Sequence, residues 1–438
     1  MAQDDDSLPS GRFARFRKLA GLTASLSADA LARGVKKLSG GEPDKGLSQA
    51  SAEKLAATLG EMKGAAMKLG QALSMDPEAF PPEARAVLAR LQNAAPPMPW
   101  SAVREVVEEE LGEPPESAFA NFEQAPLAAA SLGQVHRATT HDGRDVVVKV
   151  QYPKVADALR SDLDNLGLLV KALGANQKLD VRKYYDEVKR ELVYELDYRR
   201  EARLARAYAE ALRPFPDLAA PAPVDALTAG RVLTLERFEG PTLKELLKPG
   251  AEVDEATRYR VGRQLLRNTF GPFLNSGCMH VDPHPGNFLV LPDGRLGVLD
   301  FGSIKQFSPV FVEVNRAMFR LGVLGREAAG VDVVDLSRKS GFDITVPDDE
   351  CASLVHAIVD TGCRPMRAPD WDYAEDDTQK RMERLFKDRF ATFLRVRPPE
   401  EAPLFFRAAG GLVQNLKLLR ARGPFREAFL ELLPHAQG

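Results

Sequence analysis

A chain of 438 residues has room for two or three domains, and 44% apolar content is that of a globular protein with a sizeable core. Lys and Arg number 59 against 62 Asp and Glu, and the formal charge of −3 excludes a global electrostatic pull toward nucleic acid. The three cysteines, Cys278, Cys351 and Cys363, lack CxxC spacing, which argues against a disulfide framework or a cysteine zinc site and predicts buried thiols in a reducing compartment.

The start, Met1-Ala-Gln-Asp-Asp-Asp, is too acidic for a secretory signal or an Arg-rich transit peptide, and no apolar run reaches the roughly 18–20 residues of a spanning helix. The expected location is the cytoplasm, free or peripheral at a membrane. Residues 1–50 read as a flexible terminus with a basic segment, in which Arg12, Arg15, Arg17 and Lys18 precede a small apolar run and Arg33, Lys36 and Lys37 follow it. Such a segment suits an anionic membrane surface or a solvated helix packed on the body, and both readings stand.

Over residues 51–73, Leu55, Leu59, Met62, Ala66, Leu69 and Leu73 recur at spacings of three and four and predict a helix, which Pro77, Pro81 and Pro82 end. Further helices are expected over 83–92 and 101–111, parted by Pro96, Pro97 and Pro99. The pattern changes at Phe122. Residues 132–138 alternate, His141-Asp142-Gly143-Arg144 turns, and 146–150 is a β-branched run, together a hairpin.

Helical periodicity then runs from 155 to 212, closed by Pro214 and Pro216, and a β segment over 231–235 leads into Glu236-Arg237-Phe238-Glu239-Gly240. A helix over 253–277 is expected to kink at Pro272 and stop at Gly277. A second hairpin, 288–291 and 296–299, turns through Pro292-Asp293-Gly294-Arg295, and after Phe301 the chain reads as helical to its end. A small β-containing lobe ahead of a mostly helical one is the outline of a protein kinase. The expected class is α+β, a kinase-like bilobal fold with a helical N-terminal extension: terminus 1–50, extension 51–121, N-lobe 122–240 and C-lobe 241–438.

The chemistry concentrates in His280-Val281-Asp282-Pro283-His284-Pro285-Gly286-Asn287, then a hairpin, then Asp300-Phe301-Gly302. Phosphoryl transfer needs a carboxylate near the attacking nucleophile and oxygen ligands for Mg²⁺ on the nucleotide phosphates. A kinase catalytic loop supplies them as His-x-Asp, an Asn five residues on, and Asp-Phe-Gly after a hairpin. Asp282 takes the catalytic position, and Asn287 and Asp300 the metal positions. A rival reading takes His280, Asp282 and His284 as transition-metal ligands.

Lys149, closing Val146-Val147-Val148, matches the strand lysine that contacts ATP phosphates; Glu191, Glu195 and Glu201 are candidate acids to fix it. Where a glycine-rich loop would precede that hairpin stands Pro126-Leu127-Ala128-Ala129-Ala130-Ser131-Leu132-Gly133-Gln134. Alanine resists the positive φ that lets backbone amides close on phosphate, so this loop should hold nucleotide differently.

These residues resemble the UbiB/AarF/ADCK family of atypical kinases, closest in style to its coenzyme-Q-linked ADCK members. Its alanine-rich loop is matched by Ala128, Ala129, Ala130 and Ser131, its Lys-x-Gly-Gln helix by Lys68, Gly70 and Gln71, and its Glu-x-Asp by Glu195 and Asp197, a likeness running from about residue 51 to about 429. The resemblance implies that the extension lies over the active-site cleft, with Lys68 and Gln71 facing the site and meeting Glu195 and Asp197. It implies that Glu201 partners Lys149 and that Glu236 to Phe238 bind adenine through their backbone.

It further implies ATP and Mg²⁺ as cofactors, a role in ubiquinone (isoprenoid-quinone) biosynthesis or related lipid metabolism, and little phosphorylation of other proteins. The partners implied are ATP, an anionic membrane surface, quinone-precursor lipids and quinone-biosynthesis enzymes. Two departures stand out: the spanning C-terminal helices of UbiB proper are missing, and the catalytic loop is written in the bacterial style. A small-molecule phosphotransferase and a nucleotide-gated scaffold are the competing functions.

Overall fold

A computed structural model of the chain describes residues 98–433, apart from 131, 154, 158, 161–162, 164–188, 191–192 and 326–329. The helices expected over 51–73 and 83–92, the basic segment, Lys68, Gly70, Gln71, Ser131 and Glu191 therefore lie outside the described residues. Within these limits the chain forms two compact units, residues 98–200 with 224–235, and 201–223 with 236–433.

In the first unit, α1 (Trp100–Leu111) starts after Pro99, ends on Gly112 and buries Val103, Val106 and Val107. The strands β1 (Asn121–Phe122), β2 (Ala128–Ala130), β3 (Gly133–Thr139), β4 (Asp145–Gln151) and β5 (Val232–Glu236) form one sheet in the order β1-β3-β4-β5, with β2 also paired to β3. Alternation sends Val146, Val148 and Val150 into one core with the α1 valines, Phe119 and Val232. Each such side chain contributes ~1.5–3 kcal/mol when removed from water.

The alanine segment, read from sequence as a loop, is a strand: Ala128, Ala129 and Ala130 pair with Val135, Gln134 and Gly133. Gly133 is required by the sheet, because a Cβ there would lie 2.1 Å from the Val150 carbonyl oxygen on β4. The long helix expected over 155–212 also breaks where it is described, at Glu195 to Asp197. Asp197 Oδ1 accepts from the Arg200 amide at 3.1 Å and so caps α2 (Tyr198–Leu212).

Gln134 and His136 form a buried polar chain. Gln134 Oε1 accepts from the Met98 amide at 2.9 Å and its Nε2 donates to His136 Nε2 at 2.9 Å, while His136 Nδ1 donates to the Glu123 carbonyl at 2.8 Å. Every contact uses the neutral ring, and burial lowers the His136 pKa below the usual imidazole value. The unfolded chain binds that proton more readily, so this stabilisation is complete above the ordinary histidine pKa and is lost as pH falls through the lower folded value. Thermal unfolding at pH 5 and pH 8 (~ values spanning the imidazole range) should show this acid loss in the native chain and a smaller one in His136→Asn.

In the second unit, α3 (Glu255–Ser276) is capped by Asp254 and stopped by Gly277 at φ 75°, as its sequence predicts. The helix passes through Pro272 without a break. Pro272 has no N–H for the Asn268 carbonyl one turn back; the buried Tyr208 hydroxyl lies 3.1 Å from that oxygen and 2.8 Å from Asn268 Oδ1. Burial raises the Tyr208 pKa well above the usual tyrosine value and keeps it a donor.

After α3, β6 (Cys278–His280) leads to the hairpin β7 (Phe288–Val290) and β8 (Leu296–Val298), and β6 pairs antiparallel with β9 (Ile304–Gln306). The segment beyond Phe301 is not purely helical: besides β9, Asp343–Ile344 pairs with Val396–Arg397 and Trp371–Asp372 with Arg422–Gly423. Two- and three-residue ladders are too short to leave a period in the sequence. The helices there include α4 (Pro309–Leu324), α5 (Asp348–Gly362), α6 (Thr378–Asp388), α7 (Phe390–Phe393) and α8 (Ala402–Leu419). All three cysteines are free and buried, as expected, and burial pushes the thiols of Cys278 and Cys363 up to about 11 and about 12. No helix among the described residues is long and apolar enough to cross a membrane.

Candidate active site

Pairing with β9 holds β6 in place, and β6 delivers His280 as a buried side chain. Its Nε2 lies 2.6 Å from the Asp300 carbonyl oxygen, and its Nδ1 lies 3.3 Å from the Asp282 amide. A carbonyl only accepts and an amide only donates, so the ring is the tautomer with its proton on Nε2. His280 thereby ties the backbone of Asp282 to that of Asp300, 18 positions later in the sequence.

The Asp282 carboxylate is half-buried and shared between two donors: Oδ2 accepts from Asn287 Nδ2 at 2.9 Å and Oδ1 from the His284 amide at 3.2 Å. Asn287 sits in a single 3₁₀ turn, Pro285–Asn287, capped by His284 Nδ1 from the Gly286 amide. Its carbonyl accepts from Leu299 N at 2.9 Å, which anchors the turn to the end of β8. Asp300 Oδ1 accepts from the Gly302 amide at 3.0 Å, and Phe301 is fully buried.

The rival metal reading fails on this geometry. Both His280 ring nitrogens are committed to backbone groups, and His284 Nδ1 holds Gly286. No cluster of three or more His, Cys, Asp or Glu among the described residues is placed to hold a metal ion.

Helix α8 contributes contacts that sequence reading missed. Arg407, Gly411 and Asn415 stand four apart, on one face. Arg407 Nη2 lies 3.8 Å from Asp282 Oδ1, Asn415 Nδ2 donates to the Pro283 carbonyl at 2.7 Å, and a Cβ on Gly411 would lie 2.0 Å from Pro283 Cγ. The signal was available: Gly410-Gly411 interrupts a good helix at a cost of ~1 kcal/mol each, which calls for a reason.

The remaining candidates fall in both units. In the first, Lys149 is half-buried on β4 with Nζ 5.9 Å from the Tyr198 ring centroid, within cation–π range. Ala128 and Ala129 are exposed and Ala130 half-buried on β2, and Glu195 and Asp197 lead into α2. In the second, Glu201 is buried in the first turn of α2. The Glu236 amide donates to the Ala222 carbonyl at 2.9 Å, and Phe238 packs with Leu289, Leu291 and Leu299.

Comparison with known proteins gives the same outline. The ABC1 atypical kinase-like domain matches residues 90–331. The chain is 31% identical to the rat atypical kinase COQ8B, mitochondrial, over 96% of this chain and 80% of that protein. It is 29% identical to the Saccharomyces cerevisiae atypical kinase COQ8, mitochondrial, over 93% of this chain and 81% of that protein. Among solved structures it is similar to Mycobacterium tuberculosis Rv3197, determined in complex with erythromycin. That likeness has a TM-score of 0.62 and 32% identity, covering 88% of this chain and 96% of the other.

Proposed function

The chain belongs to the ABC1 atypical kinase-like family, and on that premise we propose that it uses Mg-ATP to support isoprenoid-quinone (ubiquinone) biosynthesis or related lipid metabolism, with little phosphorylation of other proteins. It is an atypical kinase, with ATP as phosphoryl donor. The observation that carries the reading is the Asp282–Asn287 contact at 2.9 Å, in a loop whose backbone His280 ties to Asp300.

In this reading Asp282 receives the proton of the attacking hydroxyl or water. Lys149 holds the phosphates, with Glu201 in the role the resemblance gives it. Asn287 spends its amide nitrogen on Asp282, which leaves Oδ1 as an oxygen donor. Asn287 and Asp300 then form a two-residue oxygen set of the kind that suits Mg²⁺, which completes its shell from water and phosphates. Bound there, Mg²⁺ would neutralise phosphate charge. Since the Glu236 amide is already used, adenine would meet the carbonyl of Glu236 and the backbone of Phe238.

Ala128, Ala129, Ala130 and Ser131 would cover the phosphates. Lys68, Gly70 and Gln71, on an extension within 51–121, would act on the site together with Glu195 and Asp197. Anionic membrane, quinone-precursor lipids and quinone-biosynthesis enzymes are the proposed partners, and a peripheral membrane position the proposed location.

The test is ADP release from Mg-ATP, with and without anionic vesicles, beside Asp300→Asn. The native chain should turn over, faster with vesicles, and the variant should lose turnover while still binding nucleotide. No turnover in either protein would put a nucleotide-gated scaffold in its place. A second reading, a small-molecule phosphotransferase, is favoured by the erythromycin bound to Rv3197. The same assay run with erythromycin decides it by whether a phosphorylated macrolide forms.

A further inference from the structure

Arg407 stands beside the catalytic loop with its hydrogen-bond donors unused. Gly411 and Asn415 hold α8 against Pro283, and Arg407 is the preceding residue of that row, four before Gly411. Its Nη2 lies 3.8 Å from Asp282 Oδ1, too far for a hydrogen bond. Arginine–carboxylate pairs elsewhere in this unit close fully: Arg267 Nη1 reaches Asp217 Oδ2 at 2.9 Å and Arg367 Nη2 reaches Asp360 Oδ1 at 2.8 Å. Arg407 Nε is buried, with no hydrogen-bond partner among the described residues. A buried donor left without a partner is unfavourable for folding and asks for a reason in function.

Asp282 does not need this arginine to hold its shape, because its two oxygens already accept from Asn287 Nδ2 and the His284 amide. The group that lacks a counter-charge here is the substrate. In phosphoryl transfer the attacking oxygen lies within hydrogen-bond reach of Asp282, ~2.6–3.2 Å, and in line with the phosphorus at ~3–3.5 Å. The transferring group therefore rests roughly 5 Å from the Asp282 carboxylate, a separation that follows from those two contacts. Arg407 is already beside that carboxylate. Asp282, Asn287 and Asp300 bring two carboxylates to this place and no positive charge. A planar guanidinium fork matches the oxygens of a phosphoryl group in both charge and shape.

We infer that Arg407 grips the γ-phosphoryl group of ATP during transfer, with its Nη donors on the non-bridging oxygens. The inference rests on the ATP-dependent reading above and deepens it. The bond from phosphorus to the leaving oxygen of ADP breaks, and the bond from the attacking hydroxyl or water forms. The proton goes to Asp282, and the guanidinium keeps its own. An arginine supplied from the same chain in this way offsets charge on the phosphoryl oxygens in the transition state. If Arg407 served only to orient Asp282, it would not distinguish a nucleotide with a γ-phosphate from one without.

The experiment is equilibrium binding of the full chain, with Mg²⁺, to ADP and to the ATP analogue with an imido β–γ bridge, set beside ADP release from Mg-ATP. The variants are Arg407→Gln and Arg407→Lys. Arg407→Gln should weaken the analogue by roughly ten- to a hundredfold, the range for hydrogen bonds to a charged group. Its affinity for ADP should match that of the native chain, which also shows that the variant is folded. Turnover should fall on the order of a hundredfold. Arg407→Lys should recover part of the analogue affinity, since it keeps the charge and loses the fork. The proposal is overturned if Arg407→Gln prefers the analogue over ADP as strongly as the native chain does, whatever happens to turnover. That result would leave Arg407 a positioning residue for Asp282. Undiminished turnover in Arg407→Gln overturns it as well. A native chain that binds neither nucleotide would remove the ATP reading itself, and this inference with it, a failure distinct from the other two.

Discussion

Asp282→Asn is expected to lower kcat for ADP release by roughly a hundred- to ten-thousandfold, the range a positioned acid–base group supplies. The substitution keeps the shape of the side chain and removes its ability to take a proton. It also disturbs the loop. The carboxylate offers one oxygen to Asn287 Nδ2 and the other to the His284 amide, both donors. An asparagine has one oxygen, so either orientation turns an NH₂ group toward an N–H donor, a loss of ~1–3 kcal/mol. Nucleotide should still bind, because Lys149 and Asp300 are untouched. Equilibrium binding of a fluorescent ATP analogue, set beside steady-state turnover, separates the two effects. A fall in kcat of less than about tenfold would remove Asp282 from the acid–base role.

Local features of the site were legible because their cause is local. The β3–β4 hairpin follows from an alternating segment, a glycine turn and a β-branched run, and the Asp282 to Asn287 spacing is a property of one short loop. What the sequence hid depends on residues far apart along the chain. Pro272 stays inside one continuous helix, and the Asn268 carbonyl that its ring leaves without an N–H is met by Tyr208, 60 positions earlier. Asn415 reaches the catalytic loop across 132 positions. No periodicity announces that contact, although a buried asparagine and a glycine pair in one helix are each a reason to look. The alanine segment misled for another cause: three alanines carry neither a strand nor a loop signature, and pairing with β3 alone decides their state.

Asp197 shows how a motif and a fold can share one residue. The resemblance gives it a role beside Lys68 and Gln71, and the structure uses its carboxylate to start α2. Substitution there will disturb the cap whatever it does to a partner. Gly133 is similar: it sits where a phosphate loop would want glycine, yet the sheet already excludes a side chain there.

Gly411→Ala is expected to reduce kcat by about a hundredfold without touching nucleotide or acceptor. The new Cβ would fall 2.0 Å from Pro283 Cγ and 2.2 Å from Pro283 Cβ, far inside van der Waals contact. Helix α8 cannot easily retreat, because Phe405, Leu412, Leu416 and Leu419 bury it in the core. Pro283 must move instead, and it is joined directly to Asp282. Displacing a catalytic group by ~1 Å costs about a hundredfold in rate. Gly410→Ala is the control: nothing lies within 4 Å of a Cβ there, so activity should be unchanged and the helix stabilised by up to ~1 kcal/mol. If the clash is the cause, Pro283→Gly should return part of the rate in the Gly411→Ala background, and the two substitutions should be non-additive. Equal activity for Gly410→Ala and Gly411→Ala would show that α8 does not position the catalytic loop.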